Sequence, residues 1–479
     1  MTVEQTGEAV DTTKYRGKSL LITGLGTFLG TLDASIVNVS LPTISRELGT
    51  TIDMVGWVVL SYSIIIISLL MVFGAISEKK GFQFSYTYGY LIFVIGSALC
   101  GLSPHIYFLI FSRVIQGIGA SLMIAVGPAL VTRSFPASER GRALSVIGMV
   151  VSTGLMLGPP LGGYIISWAG WRWIFYVNIP TGLLGFYFTL KYIRGFPISN
   201  PGRKISLPGS GSLSLGMFCL MMAILLYSRA VVGLDSGIAI LVLSVMFFGL
   251  FLYFESNPKT RLIGLDIFRN RVFSFSGAAM FLVFVSLSSV TILMPFYLEQ
   301  IKHLTPDRVG LFLMTIPVCG FFLAPAAGYL SDKLQARLIS TSGVVIMIIG
   351  ILLLRRLSPL AGTSEIILVL LFIGIGMGFF STPNTSSIMG SVKKIQLGTA
   401  AGILATIRSL GLTFGVGIAI AVFSFRRGKS LNDGTETALA FMTGYQSVYN
   451  LILFVIIAAA IFSLVRGKNL AEKPPNTHQ

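Results

Sequence analysis

The sequence predicts an all-α polytopic membrane protein built from two six-helix bundles and two inserted helices, 14 TM in all. Three observations lead there. The chain is 54% hydrophobic and only 11% charged, against roughly 25% charged in an ordinary soluble domain. Its apolar runs are continuous and about 20 residues long, enough to cross about 30 Å of hydrocarbon. A short pattern of glycine, acid and lysine recurs once, far along the chain.

A chain of 479 residues with so little charge has lipid as its solvent over much of its surface, where only helices and closed barrels satisfy their own backbone groups. Barrel strands would alternate apolar and polar residues; these runs do not alternate. The first bundle takes spans near 19–41, 54–76, 85–103, 106–132, 143–167 and 173–190. Two more follow near 209–228 and 237–254, then six near 272–298, 309–330, 338–354, 366–388, 397–424 and 444–465.

The recurring pattern sets the organisation. Gly74, Glu78, Lys79 and Gly81 follow the second span, and Gly328, Asp332 and Lys333 follow the tenth. Both sites place a glycine four residues before an acid–lysine pair at a helix end. The surplus length between them is the segment near 200–265. The predicted units are therefore a tail over 1–18, a bundle over 19–195, inserted helices over 200–265, a second bundle over 266–466 and a tail over 467–479. Parallel six-helix repeats of this kind place a substrate site between the halves near the bilayer midplane.

The net charge of +17 follows the same topology. Of the 35 lysines and arginines, 23 fall in the tails and the loops on their side, 10 on the other side, and Arg113 and Arg408 within spans. Basic loops stay cytoplasmic, so both termini are expected inside, and the charge is a topology signal and not a nucleic-acid footprint. The expected location is a bacterial-type inner membrane. Cys100, Cys219 and Cys319 are scattered through apolar runs, which is neither a disulfide framework nor a metal site. No phosphate-loop sequence occurs, and no catalytic constellation stands out. The expectation is a protein that is not an enzyme and holds no cofactor, works as a monomer, and takes its energy from an ion gradient.

Five strings carry a resemblance to a known family. They are Leu32-Asp33-Ala-Ser-Ile-Val-Asn38-Val-Ser-Leu41-Pro42, the loop from Gly74 to Gly81, Arg113-Val-Ile-Gln116-Gly117-Ile-Gly119-Ala120, Gly154-Leu-Met-Leu-Gly158-Pro159-Pro160-Leu-Gly162-Gly163, and Trp171-Arg172-Trp173. In order and at this spacing they resemble the major facilitator superfamily, specifically its fourteen-helix drug/proton antiporter branch (EmrB/QacA-like). The loop departs from the family pattern, with Glu78 and Lys79 for the usual Asp and Arg and Phe82-Gln83 for a basic pair. Lysine makes fewer bidentate contacts than arginine, so a latch there would be weaker.

Asp33 is the carboxylate placed deep within a predicted span. A charge there costs about 2.5–3.5 kcal/mol on insertion scales and normally faces a cavity or a partner. Asp33 is the candidate proton carrier, the competing reading being a structural carboxylate in a packing network. Arg113 is its candidate switching partner, or else a permanent partner of backbone carbonyls. The resemblance implies that the Gly154, Gly158, Pro159, Pro160, Gly162 and Gly163 segment belongs to an antiporter helix; its small residues allow close helix approach and its prolines bend the helix, so it is a candidate gate that seals the pathway, the competing reading being a plain helix-pair contact. Gly74, Glu78, Lys79, Gly81, Gly328, Asp332 and Lys333 are candidate cytoplasmic latch residues. Asn38, Gln116, Trp57, Tyr62, Asn384, Ser387 and Arg408 are candidates for a substrate cavity, with Arg408 either meeting an anionic group or bonding neighbouring helix ends.

The resulting expectation is a proton-coupled antiporter that exports amphiphilic, drug-like molecules by alternating access, with protons and membrane lipid as its other partners. Lipid or lysolipid flipping and proton-coupled uptake are the alternatives within this fold. A non-transporting receptor or scaffold is the alternative from another class.

Overall fold

The structure is a computed structural model that describes residues 15–136, 139–194, 196, 206–228, 234–256, 265–392 and 397–467. Among these residues the secondary structure is helical throughout. The first half comprises α1 (Arg16–Glu47), α2 (Ile52–Lys80), α3 (Phe82–Gly101), α4 (Ile106–Ser134), α5 (Arg140–Ala169), a single turn α6 (Trp173–Tyr176) and α7 (Asn178–Tyr192). The inserted pair is α8 (Leu207–Ser228) and α9 (Leu234–Glu255). The second half comprises α10 (Arg271–Phe296), α11 (Pro306–Lys333), α12 (Ala336–Arg356), α13 (Thr363–Gly390), α14 (Leu397–Asn432) and α15 (Thr437–Val465).

Thirteen helices are long and apolar enough to cross a membrane, counting α6 and α7 as one span. The remaining long helix, α8, lies along α9. Most helices exceed the sequence-predicted spans at one or both ends because polar turns at the bilayer surface continue the same backbone hydrogen bonding, while α3 ends at Gly101, two residues short of its predicted end. The sixth span is broken at Val177, where Pro180 supplies no N–H to the carbonyl one turn back. α10 runs on through a π-helical turn, Tyr297–Ile301.

The two halves repeat each other. α3 pairs with α4 and α12 with α13; α1 packs on α5 as α10 packs on α14. Close approaches between the halves lie at the ends remote from the termini. A Cβ at Gly163, late in α5, would stand 2.2 Å from the carbonyl oxygen of Pro306, and one at Gly310 would stand 2.2 Å from that of Pro159. Gly56, early in α2, would meet the Ile420 side chain of α14 in the same way. At Gly163 and Gly310 glycine is required because a Cβ would press on the backbone of the facing helix, whereas at Gly56 it would press on the movable end of the Ile420 side chain. Nearer the other end, a Cβ at Gly148 of α5 or Gly320 of α11 would meet open space.

The inserted pair sits on the seam. α8 packs against α2 of the first half and α14 of the second, and the Ser214 hydroxyl donates to the Ser68 carbonyl of α2. α9 lies outside α8, with Val242, Val245 and Tyr253 more than 60% exposed, an apolar surface suited to lipid.

Candidate functional site

Asp33 lies at the centre of a closed polar network inside the first half. It is 1% exposed, as is Arg113. Arg113 Nη1 donates to Asp33 Oδ2 at 2.6 Å. Asp33 Oδ1 accepts from Gln116 Nε2 at 3.0 Å and from Asn178 Nδ2 at 2.7 Å. Both carboxylate oxygens are thus satisfied by donors, the condition under which a buried charge is tolerated.

Four helices deliver these groups. Arg113 and Gln116 stand three residues apart on α4, one turn along the same face. The helix break before Asn178 places its amide at the start of α7, aimed at α1. Gln116 is turned by Ser97 of α3, whose hydroxyl accepts from Nε2 at 2.8 Å.

Arg113 has more partners than the acid. Its Nε donates to the Val58 carbonyl of α2 at 3.0 Å, its Nη1 also donates to Gln116 Oε1, and its guanidinium lies 4.0 Å from the centroid of the Tyr62 ring. A cation over an aromatic face away from water gains about 2 kcal/mol or more. Arg113 is therefore held in place by groups other than Asp33.

The glycine–proline segment of α5 braces this network from outside. A Cβ at Gly154 would meet Thr31, one at Gly158 would meet Ser35, and one at Gly162 would meet Ile36. These are the α1 positions flanking Asp33. Gly163 and Pro159, on another face of α5, press on Pro306 and Gly310 of α11. One helix therefore touches the acid-bearing helix of its own half and a helix of the other half within the same three turns.

The other sequence candidates fall in several places. Tyr62 and Gln116 are buried in the network described above. Trp57 and Asn38 are partly buried on α2 and α1. Asn384 is fully buried within the second half, where Nδ2 donates to the Ser276 carbonyl at 3.1 Å and Oδ1 accepts from Arg466 at 2.9 Å. Ser387, one turn on, is also buried. Arg408 is partly accessible on α14 and makes no hydrogen bond or ion pair with any described residue. Gly81 ends α2 at φ 91°, a conformation that favours glycine. Lys79 and Lys333 are exposed, with the Lys333 ammonium 4.5 Å from the Tyr329 ring centroid, while the Glu78 and Asp332 side chains lie outside the described residues. Gly74 has open space around it, and a Cβ at Gly328 would touch Thr382.

Two residues escaped the sequence reading. Asn178 carried a signal, an amide within an apolar run. Glu299 was placed just past a span end; the π-helical turn instead carries it into the protein, where it is 8% exposed.

A buried acid–arginine network, two repeated bundles and a seam of membrane-length helices are the layout of a membrane transporter. Residues 23–416 match the model of the Major Facilitator Superfamily, and the chain belongs to it. It is 34% identical over 413 residues to the riboflavin transporter RibZ of Clostridioides difficile (strain 630), covering 85% of this chain and 88% of the relative. It is 30% identical over 424 residues to the multidrug resistance protein Stp of Mycobacterium tuberculosis (strain ATCC 25618 / H37Rv), covering 88% of this chain and 78% of the relative. Such relatives set it beside the drug/proton antiporter branch that its motifs resemble. The fold matches a bacterial homologue of the human lysosomal transporter Spinster in an inward-facing, occupied conformation, with a TM-score of 0.67, 16% identity, and coverage of 96% of this chain and 99% of that one. It also matches a D-xylose–proton symporter, with a TM-score of 0.64, 15% identity, and coverage of 95% and 98%.

Proposed function

We propose that this transporter exports amphiphilic, drug-like compounds in exchange for protons by alternating access, with Asp33 as the proton carrier and no other cofactor. The observation that carries this reading is the Asp33–Arg113 pair, sealed from solvent yet built so that the arginine has other partners. Removing one member of a buried ion pair ordinarily costs about 3–5 kcal/mol because the other charge is stranded. Here the Val58 carbonyl, Gln116 Oε1 and the Tyr62 ring keep Arg113 solvated by protein when Asp33 takes a proton. Neutralising the acid thus costs less than its burial suggests.

Rocking of the halves supplies the trigger. α11 bears on Gly163 and Pro159 of α5, and the adjoining face of α5 bears on Thr31, Ser35 and Ile36 of α1. Movement of the second half would shift α1 against α4 and change the Asp33–Arg113 geometry. We take the termini as cytoplasmic, following the basic loops, in a fourteen-span monomer of the bacterial inner membrane, so that the conformer described is closed on the outer face. A potential supplies about 2.3 kcal/mol per charge per 100 mV, and a pH gradient about 1.36 kcal/mol per unit. One proton then supports a substantial substrate gradient.

The test is proton flux in reconstituted vesicles under an imposed pH gradient. Substrate addition should release protons through the wild type, and Asp33→Asn should abolish that response. A normal response in Asp33→Asn would refute the reading. The relative named a riboflavin transporter supports a second reading, uptake of a planar aromatic heterocycle through the same site. The direction of labelled-substrate movement in the same vesicles separates the two.

A further inference from the structure

Glu299 is a second buried acid, in the second half and on the seam. It lies on the π-helical turn after α10 and faces α1 across the closed ends of the two bundles. Its Oε2 accepts a long hydrogen bond, 3.4 Å, from the buried hydroxyl of Thr43, and lies 3.8 Å from Nη1 of Arg46. Its Oε1 is buried with no hydrogen-bond partner among the described residues.

The surroundings do not suit an anion. Arg46 is the charged group beside it, but that side chain is 68% exposed, so its attraction is weakened by water. The other charged groups nearby are committed elsewhere. Lys302 donates to the Pro359 carbonyl, and Asp307 of α11 holds the Ser167 hydroxyl. Tyr297 on the same turn points its hydroxyl to the Ser358 carbonyl and stacks on Tyr445. An ionised carboxylate with one long hydrogen bond and one orphaned oxygen carries the full cost of burial. Asp33, with both oxygens satisfied by close donors, is the opposite case.

We propose that Glu299 is a proton-binding site at the contact between the bundles, neutral when the halves close over it and ionised when they part and admit water. Proton binding there favours closure of the ends remote from the termini, independently of Asp33. The contact is therefore a proton-operated clasp and not an ion-pair latch with Arg46. The two differ in sign. A clasp closes as pH falls; a latch, which needs the carboxylate charged, opens.

Double electron–electron resonance would read this directly. Spin labels go at Leu102→Cys and Leu360→Cys, exposed sites on opposite halves at that end, with the native cysteines replaced. No substrate or gradient is used, so the result does not depend on the export reading. The closed population should rise as pH falls, by up to about tenfold in closed-to-open ratio per unit, the limit for one proton. Asp33→Asn should keep this response. Glu299→Gln, which mimics the neutral acid at the same size, should stay closed at every pH. Arg46→Gln should still close. Opening of Glu299→Gln or Arg46→Gln, or an unchanged pH response in Glu299→Gln, would overturn the proposal.

Discussion

The two halves share one architecture and differ in what fills them. The first half has a salt bridge at its heart, with donors to both oxygens of Asp33 and three alternative partners for Arg113. The second half has an aromatic column there. Tyr445 stacks on Tyr297 at 5.3 Å and meets Tyr449 edge-on at 4.7 Å, and Phe441 meets Phe423 at 5.0 Å. Its polar contacts also join distant helices: the Tyr449 hydroxyl donates to the Ser289 carbonyl at 3.3 Å, and Arg466 Nη1 donates to Asn384 Oδ1 at 2.9 Å. The two bundles share a frame, but the paired acid and arginine lie at the heart of the first, whereas the buried acid of the second, Glu299, stands at the seam between them.

That contrast can be broken most severely at the salt bridge. Asp33→Ala removes the acceptor of Arg113 Nη1 and of the buried Gln116 and Asn178 amides together and should cost about 3–5 kcal/mol, visible as a large fall in thermal unfolding temperature of the purified protein. Asp33→Asn should lose much less, because its side-chain oxygen still accepts from Arg113. Equal losses in the two variants would mean that Arg113 needs the negative charge of Asp33 and not merely an oxygen acceptor, against the reading that its other partners keep it solvated.

A middle-sized effect is expected where the halves touch. Gly163→Val drives a side chain into the Pro306 carbonyl, and overpacking of this kind costs about 1–3 kcal/mol. Transport should fall about tenfold or more with the protein still folded. Gly148→Ala on the same helix meets open space and should transport normally. Similar losses in both would indicate a general helix effect and not contact between bundles.

The smallest effect on stability is expected at the arginine of the second half. Arg408 has no hydrogen bond or ion pair with a described residue, so Arg408→Gln should change stability by less than about 0.5 kcal/mol. Its effect should appear instead as weaker competition by anionic than by cationic compounds in a transport assay. Arg113→Gln, by contrast, should destabilise strongly. If the two arginine variants behave alike, the division of labour between halves is wrong.

The helical architecture was legible because hydrophobic length and the repeated Gly74 and Gly328 patterns are one-dimensional signals. Asp33 and Arg113 were legible for the same reason, since a charge in an apolar run stands out. Their pairing was not, because residues 80 apart meet only through the packing of α1 on α4. Asn178 was missed because its role depends on a helix break at Val177 that re-aims one amide. Glu299 was missed because a single π-helical turn decides whether it ends in water or in the seam. From sequence the glycine–proline segment offers a tight, bent helix that can gate or pack, and only the fold reveals that it has two faces with two partners.

Proton-coupled export as proposed requires Asp33 to change protonation during the cycle. Infrared difference spectroscopy between the substrate-free and substrate-bound transporter in membranes measures that change at the carboxyl stretch. A protonated-carboxyl band that shifts or vanishes on substrate binding in the wild type, and is missing from Asp33→Asn but retained in Glu299→Gln, is the predicted result. A spectrum in which Asp33→Asn leaves the carboxyl region untouched would contradict the account.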